Sequence, residues 1–293
     1  MSFALLVSIF HILCVFAFAS ELGPALNDMN LAVVVLSSRD NIERRNAIRE
    51  TWAKGHSNVY FFVGKHCPYK PEQRKDWLCE PRDADTFIDL KYNAEQELLT
   101  QKLLNEPKVI LVDMIDVYRN LPDKLIQSYI WINTHTSVKY ILKMDDDSFA
   151  RVDSVDHWLQ NRVNVPKYEW IAFHFLTGVQ VFKVGKNAEF KYSGDVYPPY
   201  PYGSGHILSI ATIRFLLNNL DTWVQYQGED TSLAIWRDRV KSAIDIVLTT
   251  EKQFIPESGD CHNTQKFVIS HNISPEKMRA CYNTMDEYKY IEL

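Results

Sequence analysis

Residues 139–151 read KYILKMDDDSFAR, in which an apolar run is followed by three consecutive aspartates. Residues 140–143 are apolar enough to predict a buried strand, and Asp145, Asp146 and Asp147 follow at its carboxyl end. Carboxylates this close repel one another, and a bound divalent cation would keep them ionised. The sequence therefore predicts a metal site at the end of this strand, with a solvated acidic turn as the alternative.

Strand-like and helix-like segments alternate along the rest of the chain. Continuous apolar runs at residues 31–36, 59–63 and 108–112 are typical of strands that are buried on both faces. Asp40 and Glu43 have the spacing of a capping box, which predicts a helix reaching residue 52. Further helices are predicted near residues 94–105, 121–132, 212–218 and 230–239. This alternation indicates an α/β fold with a mainly parallel sheet that binds ligands beyond the carboxyl ends of its strands.

The composition is that of a globular protein with a small acidic excess. The 293 residues include 32 Lys and Arg against 37 Asp and Glu, which gives a net charge of −5 at pH 7. This balance argues against a general electrostatic attraction to nucleic acid, so no nucleic-acid partner is expected. We predict that residues 31–293 form one folded domain, because no linker or internal repeat divides them.

The N-terminal segment differs from this domain. Residues 2–19 contain no Asp, Glu, Lys or Arg. Residues 1–19 are therefore predicted to be a signal-anchor or a cleavable signal peptide, and residues 20–30 a short stem. Both interpretations send the chain into the secretory pathway, and an uncleaved segment would attach it to the membrane.

The cysteines fit that compartment. Four of them follow the apolar segment, and an even number in an oxidising lumen suggests two disulfides with three possible connectivities. The simplest pairing joins neighbours in the sequence, Cys67 to Cys79 and Cys261 to Cys281.

Several motifs give the chain a resemblance to a known family. Residues 139–151 are similar to the metal-binding segment of the β1,3-galactosyltransferases, a group of Golgi enzymes that use UDP-sugars. Four further stretches resemble motifs of this family in the same order: residues 43–52 (ERRNAIRETW), 113–124 (DMIDVYRNLPDK), 197–209 (YPPYPYGSGHILS) and 228–234 (GEDTSLA). The resemblance implies a GT-A-type glycosyltransferase domain with a mixed, mainly parallel sheet flanked by helices. It also implies an inverting transfer from UDP-galactose, assisted by Mn²⁺, at the Golgi membrane.

The resemblance also implies the catalytic and metal-binding residues. Asp145, Asp147 and His271 would bind the metal ion, and Asp230 would be the general base. From the sequence alone, a structural role is the more usual one for a single histidine, and His262 is a nearby competitor of His271. An N-cap is likewise the more usual role for an aspartate such as Asp230 at a predicted helix start.

Other residues would bind the donor and the acceptor. The predicted donor-binding residues are Arg45, Arg49, Asp113, Lys124 and Asp146. For Arg45 and Arg49 the alternative is a basic helix face paired with Glu43 and Glu50, and for Asp113 and Lys124 it is a structural ion pair. The predicted substrate-binding residues are Tyr200, Gly203, Gly205 and Glu229.

Within the family, the motifs are most similar to those of members that extend the glycosaminoglycan linker. The expected acceptor is therefore the 3-hydroxyl of Gal-β1,4-Xyl on a proteoglycan core protein. Ser204 and His206 depart from the family pattern and leave the acceptor preference open. The rival hypotheses are a transfer that involves N-acetylglucosamine or N-acetylgalactosamine and a secreted sugar-binding homologue without activity.

Overall fold

A computed structural model describes residues 30–75, 77–219, 224–253 and 271–285. Predictions for residues 1–29, among them the apolar segment, and for Cys261 lie outside the described residues. Among the residues described, no helix combines the length and the apolar character needed to cross a membrane.

Nine strands alternate with helices along the chain. The strands are β1 (Leu31–Leu36), β2 (Val59–Lys65), β3 (Val109–Ile115), β4 (Tyr140–Asp145), β5 (Glu169–Ala172), β6 (Phe175–Leu176), β7 (Tyr200–Pro201), β8 (Gly205–Ser209) and β9 (Val247–Thr250). The helices are α1 (Ile42–Glu50), α2 (Leu90–Leu104), α3 (Leu121–His135), α4 (Val152–Asn161), α5 (Ile210–Leu217), α6 (Glu229–Val240) and α7 (Pro275–Met285). These counts refer to the described residues.

Seven of these strands form one mixed sheet in the order β3-β2-β1-β4-β8-β5-β9. Neighbours from β3 to β4 run parallel, β8 runs antiparallel to both of its neighbours, and β5 pairs with β9 in parallel. The chain leaves β1 toward β2 on one side, and β4 lies on the other. This reversal opens a crevice at the carboxyl ends of β1 and β4.

Two apolar layers cover the sheet. Alternate residues of β1 enter opposite layers: Ala32, Val34 and Leu36 pack with α3 and α6, whereas Leu31, Val33 and Val35 pack with α1 and α4. All six side chains are at most 6% exposed. A strand between two apolar layers needs apolar residues on both faces, which explains the uninterrupted run at residues 31–36.

Some predicted boundaries differ from the structure. Helix α1 begins at Ile42 with Asn41 as its N-cap residue, so the capping box at Asp40 is wrong. The Asn41 amide instead donates to the Asp146 carboxylate at 2.8 Å. Helix α2 begins four residues before the predicted start, because the Asp89 carboxylate caps it through the Tyr92 amide at 3.0 Å.

The described residues confirm one of the two predicted disulfides. Cys67 and Cys79 are bonded, and they close the loop that follows β2. The other predicted pair includes Cys261 and therefore lies outside the described residues.

A buried ion pair fastens α1 to the chain before β3. The Arg45 side chain is 0% exposed, and its Nε and Nη2 donate to the two carboxylate oxygens of Glu106 at 2.8 and 3.1 Å. Arg49 Nη2 donates to the same carboxylate at 2.7 Å. This arrangement corrects the expected donor-binding role of both arginines, because Glu106 already holds their guanidinium groups. It also replaces the alternative pairing, since Glu43 and Glu50 pair with Arg279.

We predict that Glu106→Ala lowers the free energy of unfolding by about 3–5 kcal/mol, because it leaves the Arg45 guanidinium buried without its partner. Urea denaturation measures this loss. The exposed Glu97→Ala in α2 is the control and should change stability by less than about 0.5 kcal/mol. The double variant Arg45→Met/Glu106→Leu should recover most of the loss, and an equally unstable double variant would contradict the ion-pair explanation.

Candidate active site

The predicted metal-binding stretch lies at the crevice in the sheet. Leu36 and Asp145 are register partners at the ends of β1 and β4. A cavity of about 580 Å³ opens there, and its lining includes Asp145, Asp146 and Asp147 together with Asp230 and His271. Residues that are far apart in the sequence therefore meet at one place.

Asp145, Asp147 and His271 form a cluster with the spacing of metal ligands. The His271 Nε2 atom lies 3.8 Å from Asp145 Oδ2 and 3.4 Å from Asp147 Oδ1. One ligand atom from each residue lies within 4.8 Å of the others. The Ile273 amide fixes the position of this segment, since it donates to the Asp147 carbonyl at 3.0 Å and its side chain is buried.

The donor set of this cluster fits a divalent cation. Carboxylate oxygens suit hard ions such as Mg²⁺ and Mn²⁺, and an imidazole nitrogen suits transition metals. Glu229 and Asp230 add negative charge to the same cavity. Burial, and further the charge of Glu229, raise the pKa of Asp145, which shows that its negative charge is costly here. A bound cation would offset this cost.

Asp146 has a structural role, unlike Asp145 and Asp147. Its carboxylate is 5% exposed and accepts hydrogen bonds from Ser37 Oγ at 2.7 Å, Asn41 Nδ2 at 2.8 Å and Arg44 Nη1 at 2.9 Å. It thus ties the end of β4 to the turn between β1 and α1. This set of donors leaves little of the carboxylate for the donor-binding contact that the sequence predicts.

Arg44 is a cleft residue that sequence reasoning missed. Its Nη1 lies 2.9 Å from Asp146 Oδ1 and 3.3 Å from Asp147 Oδ2, and its side chain is 38% exposed. The signal was available, because the first turn of a helix that follows β1 lies at the strand's carboxyl end. Arg45 and Arg49 attracted attention by their spacing, but that face of α1 packs inward.

Asp230 enters the cleft from the second position of α6. The N-cap of this helix is Gly228, with φ +81°, so the N-cap alternative for Asp230 is wrong. Burial, followed by the neighbouring Glu229 carboxylate, raises the pKa of Asp230 to about 7. A carboxylate with a pKa near the working pH is suited to accept a proton in the transition state.

Tyrosines and a glycine line the wall next to Asp230. Burial raises the pKa of Tyr118 and Tyr200 to about 12, with Glu229 the next cause for Tyr118 and Asp230 for Tyr200, so both phenols remain protonated. Gly203 also lines the cleft, and a Cβ there would lie 2.7 Å from Glu229 Oε1. Gly205 instead pairs with Met144 inside the sheet.

Glu229 and Lys143 form an ion pair behind this wall. The Glu229 side chain is nearly buried, and its Oε1 accepts from Lys143 Nζ at 2.6 Å. The same nitrogen donates to Asp145 Oδ1 at 2.8 Å. Glu229 thus lies at the cleft as predicted, but Lys143 already binds it. Sequence reasoning missed Lys143 because a lysine within an apolar strand carries no motif of its own.

Two predicted donor-binding residues lie outside the cleft. Lys124 is 1% exposed, pairs with Asp116 and donates to the Ser37 carbonyl at 2.8 Å. Asp113 is exposed and pairs with Lys65. Each of the two residues is therefore in a structural ion pair, but they do not pair with each other.

Of the two residues that depart from the family pattern, Ser204 lines the cleft and His206 does not. His206 is fully buried in β8 against the Trp170 ring, 5.4 Å between centroids, and burial lowers the pKa of its imidazole well below the ordinary value. It therefore does not face an acceptor. The Ser204 side chain is buried, but its backbone carbonyl accepts from Ser148 Oγ at 3.2 Å and so supports the aspartate turn.

The fold and the site define the class of the protein as a glycosyltransferase domain with a DxD-type aspartate pair. Residues 43–247 match the family model described as Galactosyltransferase, and the chain belongs to this family. The GT-A-type fold expected from the sequence is confirmed by the mixed, mostly parallel sheet with helices on both faces.

Relatives of known function cover most of the chain. It is 34% identical to the UDP-GalNAc:beta-1,3-N-acetylgalactosaminyltransferase 2 of Danio rerio over 74% of this chain and 45% of the relative. It is 27% identical to the Beta-1,3-galactosyltransferase 6 of Mus musculus over 85% of this chain and 71% of the relative. The chain thus spans less than half the length of the Danio rerio protein. A solved glycosyltransferase involved in the glycosylation of the major capsid of PBCV-1 aligns with 86% of this chain and 99% of its own chain. The two share 9% sequence identity, and the TM-score is 0.37.

We predict that Asp147→Asn abolishes metal-dependent UDP binding while the fold stays intact. The change removes one anionic ligand from the cluster and leaves the shape of the side chain. Titration calorimetry with UDP and Mn²⁺ measures the binding, and circular dichroism checks the fold. Asp153→Asn, an aspartate whose side chain is 91% exposed, is the matched control. Unchanged metal-dependent binding in Asp147→Asn would remove this residue from the metal site.

Proposed function

We propose that this protein transfers galactose from UDP-galactose to the 3-hydroxyl of a β-galactoside, with inversion at the sugar carbon and with Mn²⁺ as its metal. The observation that carries the proposal is the cluster of Asp145, Asp147 and His271 in the same cavity as Asp230. A glycosyl transfer with a nucleotide leaving group needs both parts, a cation site for the diphosphate and a base for the acceptor.

The aspartate side of the cavity would hold the donor. Asp145, Asp147 and His271 are the residues that would bind the metal, which as a Lewis acid stabilises the charge on the departing diphosphate. Arg44 is partly exposed beside them, so its guanidinium is available to a second phosphate oxygen. Asp146 holds the end of β4 against the turn between β1 and α1, beside the metal-binding cluster.

The opposite side would activate the acceptor. The 3-hydroxyl oxygen of the acceptor forms the new bond to the sugar carbon as the bond from that carbon to UDP breaks, and the hydroxyl proton passes to the Asp230 carboxylate. UDP leaves without a proton from the protein, so a single catalytic carboxylate is sufficient. Tyr200 supplies a phenol donor near this carboxylate for the acceptor's hydroxyl groups, whereas the Tyr118 hydroxyl donates to Asn187 Oδ1 at 2.9 Å.

The proposed acceptor is Gal-β1,4-Xyl of a proteoglycan linker. The motifs at residues 145–151 and 229–236 support it, together with the similarity to a Beta-1,3-galactosyltransferase 6 over 85% of this chain. The higher identity to a UDP-GalNAc-dependent relative favours a second candidate, transfer of N-acetylgalactosamine to a 3-hydroxyl.

We predict that Asp230→Asn lowers turnover by at least about 10²-fold, because asparagine cannot accept the proton. UDP and Mn²⁺ binding should remain, since Asp230 is outside the metal cluster. In the unaltered enzyme, kcat/KM should fall as the pH drops below about 7, where Asp230 becomes protonated. The residual activity of the variant should lack this acidic limb.

Asp238→Asn is the control for this experiment, because Asp238 lies near the other end of the same helix and pairs with exposed Lys241. Its turnover and pH profile should match those of the unaltered enzyme. Near-normal turnover in Asp230→Asn would exclude Asp230 as the base.

We predict that a donor-by-acceptor screen gives the highest kcat/KM for UDP-galactose with a Gal-β1,4-xyloside. Polar sites reject sugars that lack a matching hydroxyl, so free galactose and acceptors ending in N-acetylglucosamine should be poorer. Linkage analysis of the product should show a β1,3 bond. A preference for UDP-N-acetylgalactosamine would support the second candidate, and no transfer from any UDP-sugar would contradict both.

We also propose a luminal Golgi location, with membrane attachment through residues 1–19 or secretion after their removal. The disulfide between Cys67 and Cys79 supports this proposal, because such bonds persist in oxidising compartments. In a protease-protection assay on isolated membranes, the tagged chain should be degraded only after detergent is added. Digestion without detergent, with both cysteines reduced, would contradict it.

A further inference from the structure

Lys143 is a lysine in the middle of the protein core. It lies on β4, its side chain is 0% exposed, and it is among the largest fully buried side chains of the described residues. Its ammonium group donates to Asp145 Oδ1 at 2.8 Å, to Glu229 Oε1 at 2.6 Å and to the Gly203 carbonyl. An ammonium group has three protons, so these three acceptors use all of them.

The three acceptors belong to three different parts of the cleft. Asp145 belongs to the metal-binding cluster, Gly203 to the wall before β8, and Glu229 immediately precedes Asp230 at the start of α6. Nothing else in the described residues joins these parts through one side-chain atom. The ammonium group therefore joins the metal-binding cluster to the residue that precedes the base.

The cation of another ion pair, Arg162, lacks this property. Arg162 pairs with the fully buried Glu169 at 2.8 Å, and neither residue lines the cleft. That pair stabilises strand β5 but contacts no group that would take part in transfer. Lys143 is more deeply buried, and two of its three partners are cleft carboxylates.

We propose that Lys143 is a positioning residue that couples the metal-binding cluster to the catalytic base. It holds the Asp145 carboxylate toward His271 and, through Glu229, holds the first turn of α6 so that Asp230 faces the same point of the cleft. The coupling to the base rests on the proposed function, whereas the coupling to the metal cluster can be measured without it.

The main test is Lys143→Met in the full chain, which keeps the length of the side chain and removes the ammonium group. Loss of a hydrogen-bond partner of a metal ligand costs about 10–100-fold in metal affinity or activity. We expect a loss of this size in the UDP-dependent affinity for Mn²⁺, measured by calorimetry. Saturating Mn²⁺ should not restore kcat, because Glu229 and α6 remain released.

Arg162→Met is the matched control, because it also leaves a buried carboxylate unpaired. It should lower the denaturation midpoint, while the folded protein keeps its Mn²⁺ affinity and kcat. Two results would overturn the proposal: a folded Lys143→Met protein with both quantities at their original values, or an equal loss of both in Arg162→Met.

A second variant decides the question if Lys143→Met does not fold. Gly203→Ala adds a methyl group 2.7 Å from Glu229 Oε1 and 3.3 Å from Asp230 Oδ2, so it displaces the Glu229 carboxylate from Lys143 and crowds the base without changing any charge. We expect kcat to fall, while the Mn²⁺ affinity stays unchanged because the methyl group lies on the side of the cleft away from His271. An unchanged kcat, or a loss confined to the acceptor KM, would overturn the coupling to the base.

These readouts separate the inference from the proposed function. If the unaltered protein transfers no sugar in any donor–acceptor pair, the proposed function fails. The Mn²⁺ affinity of Lys143→Met would still report on the coupling to the metal cluster.

Discussion

Electrostatic repulsion among carboxylates is the constraint on which this cleft depends. Asp145, Asp146, Asp147, Glu229 and Asp230 lie at one end of the sheet, where burial makes each charge costly. The protein meets each cost differently. Asp146 is saturated by hydrogen-bond donors, Asp145 and Glu229 share one ammonium group, and Asp230 has a raised pKa. Asp145 and Asp147 each have one oxygen beside a cation, Lys143 and Arg44, and turn the other oxygen toward His271, which makes the cluster a candidate cation site.

The sheet topology explains why these charges meet. Parallel strands β1 and β4 end at the same edge, so the aspartate turn lies beside the start of α1. The antiparallel strand β8 begins at that edge, so the residues just before it contact β4: the Ser204 carbonyl accepts from the Asp145 amide at 3.4 Å, and the Gly203 carbonyl accepts from Lys143 Nζ. Helix α6 then supplies Glu229 and Asp230. One reversal of strand direction thus combines a metal-binding side and a base-bearing side in one cleft.

The sequence predicts those parts of the molecule whose cause is local. The apolar run at residues 31–36 specifies a doubly buried strand by its own composition, and the aspartate turn follows from its place after a strand. The role of Arg45 could not be predicted, because its partner Glu106 lies far along the chain and only packing brings the two together. The position of His206 could likewise not be predicted, because the pairing of β8 with its neighbouring strands places the imidazole ring against Trp170.

The division of the cleft also limits where donor and acceptor preferences can arise. The charges around Asp145 and Asp230 are so interdependent that replacing one shifts the pKa or the position of the others. Evolution can change sugar preference at lower cost on the wall that contains Tyr118, Tyr200 and Gly203, where hydrogen bonding and shape act without a net charge. Relatives that use different UDP-sugars are therefore expected to share the charged cluster and to differ on this wall.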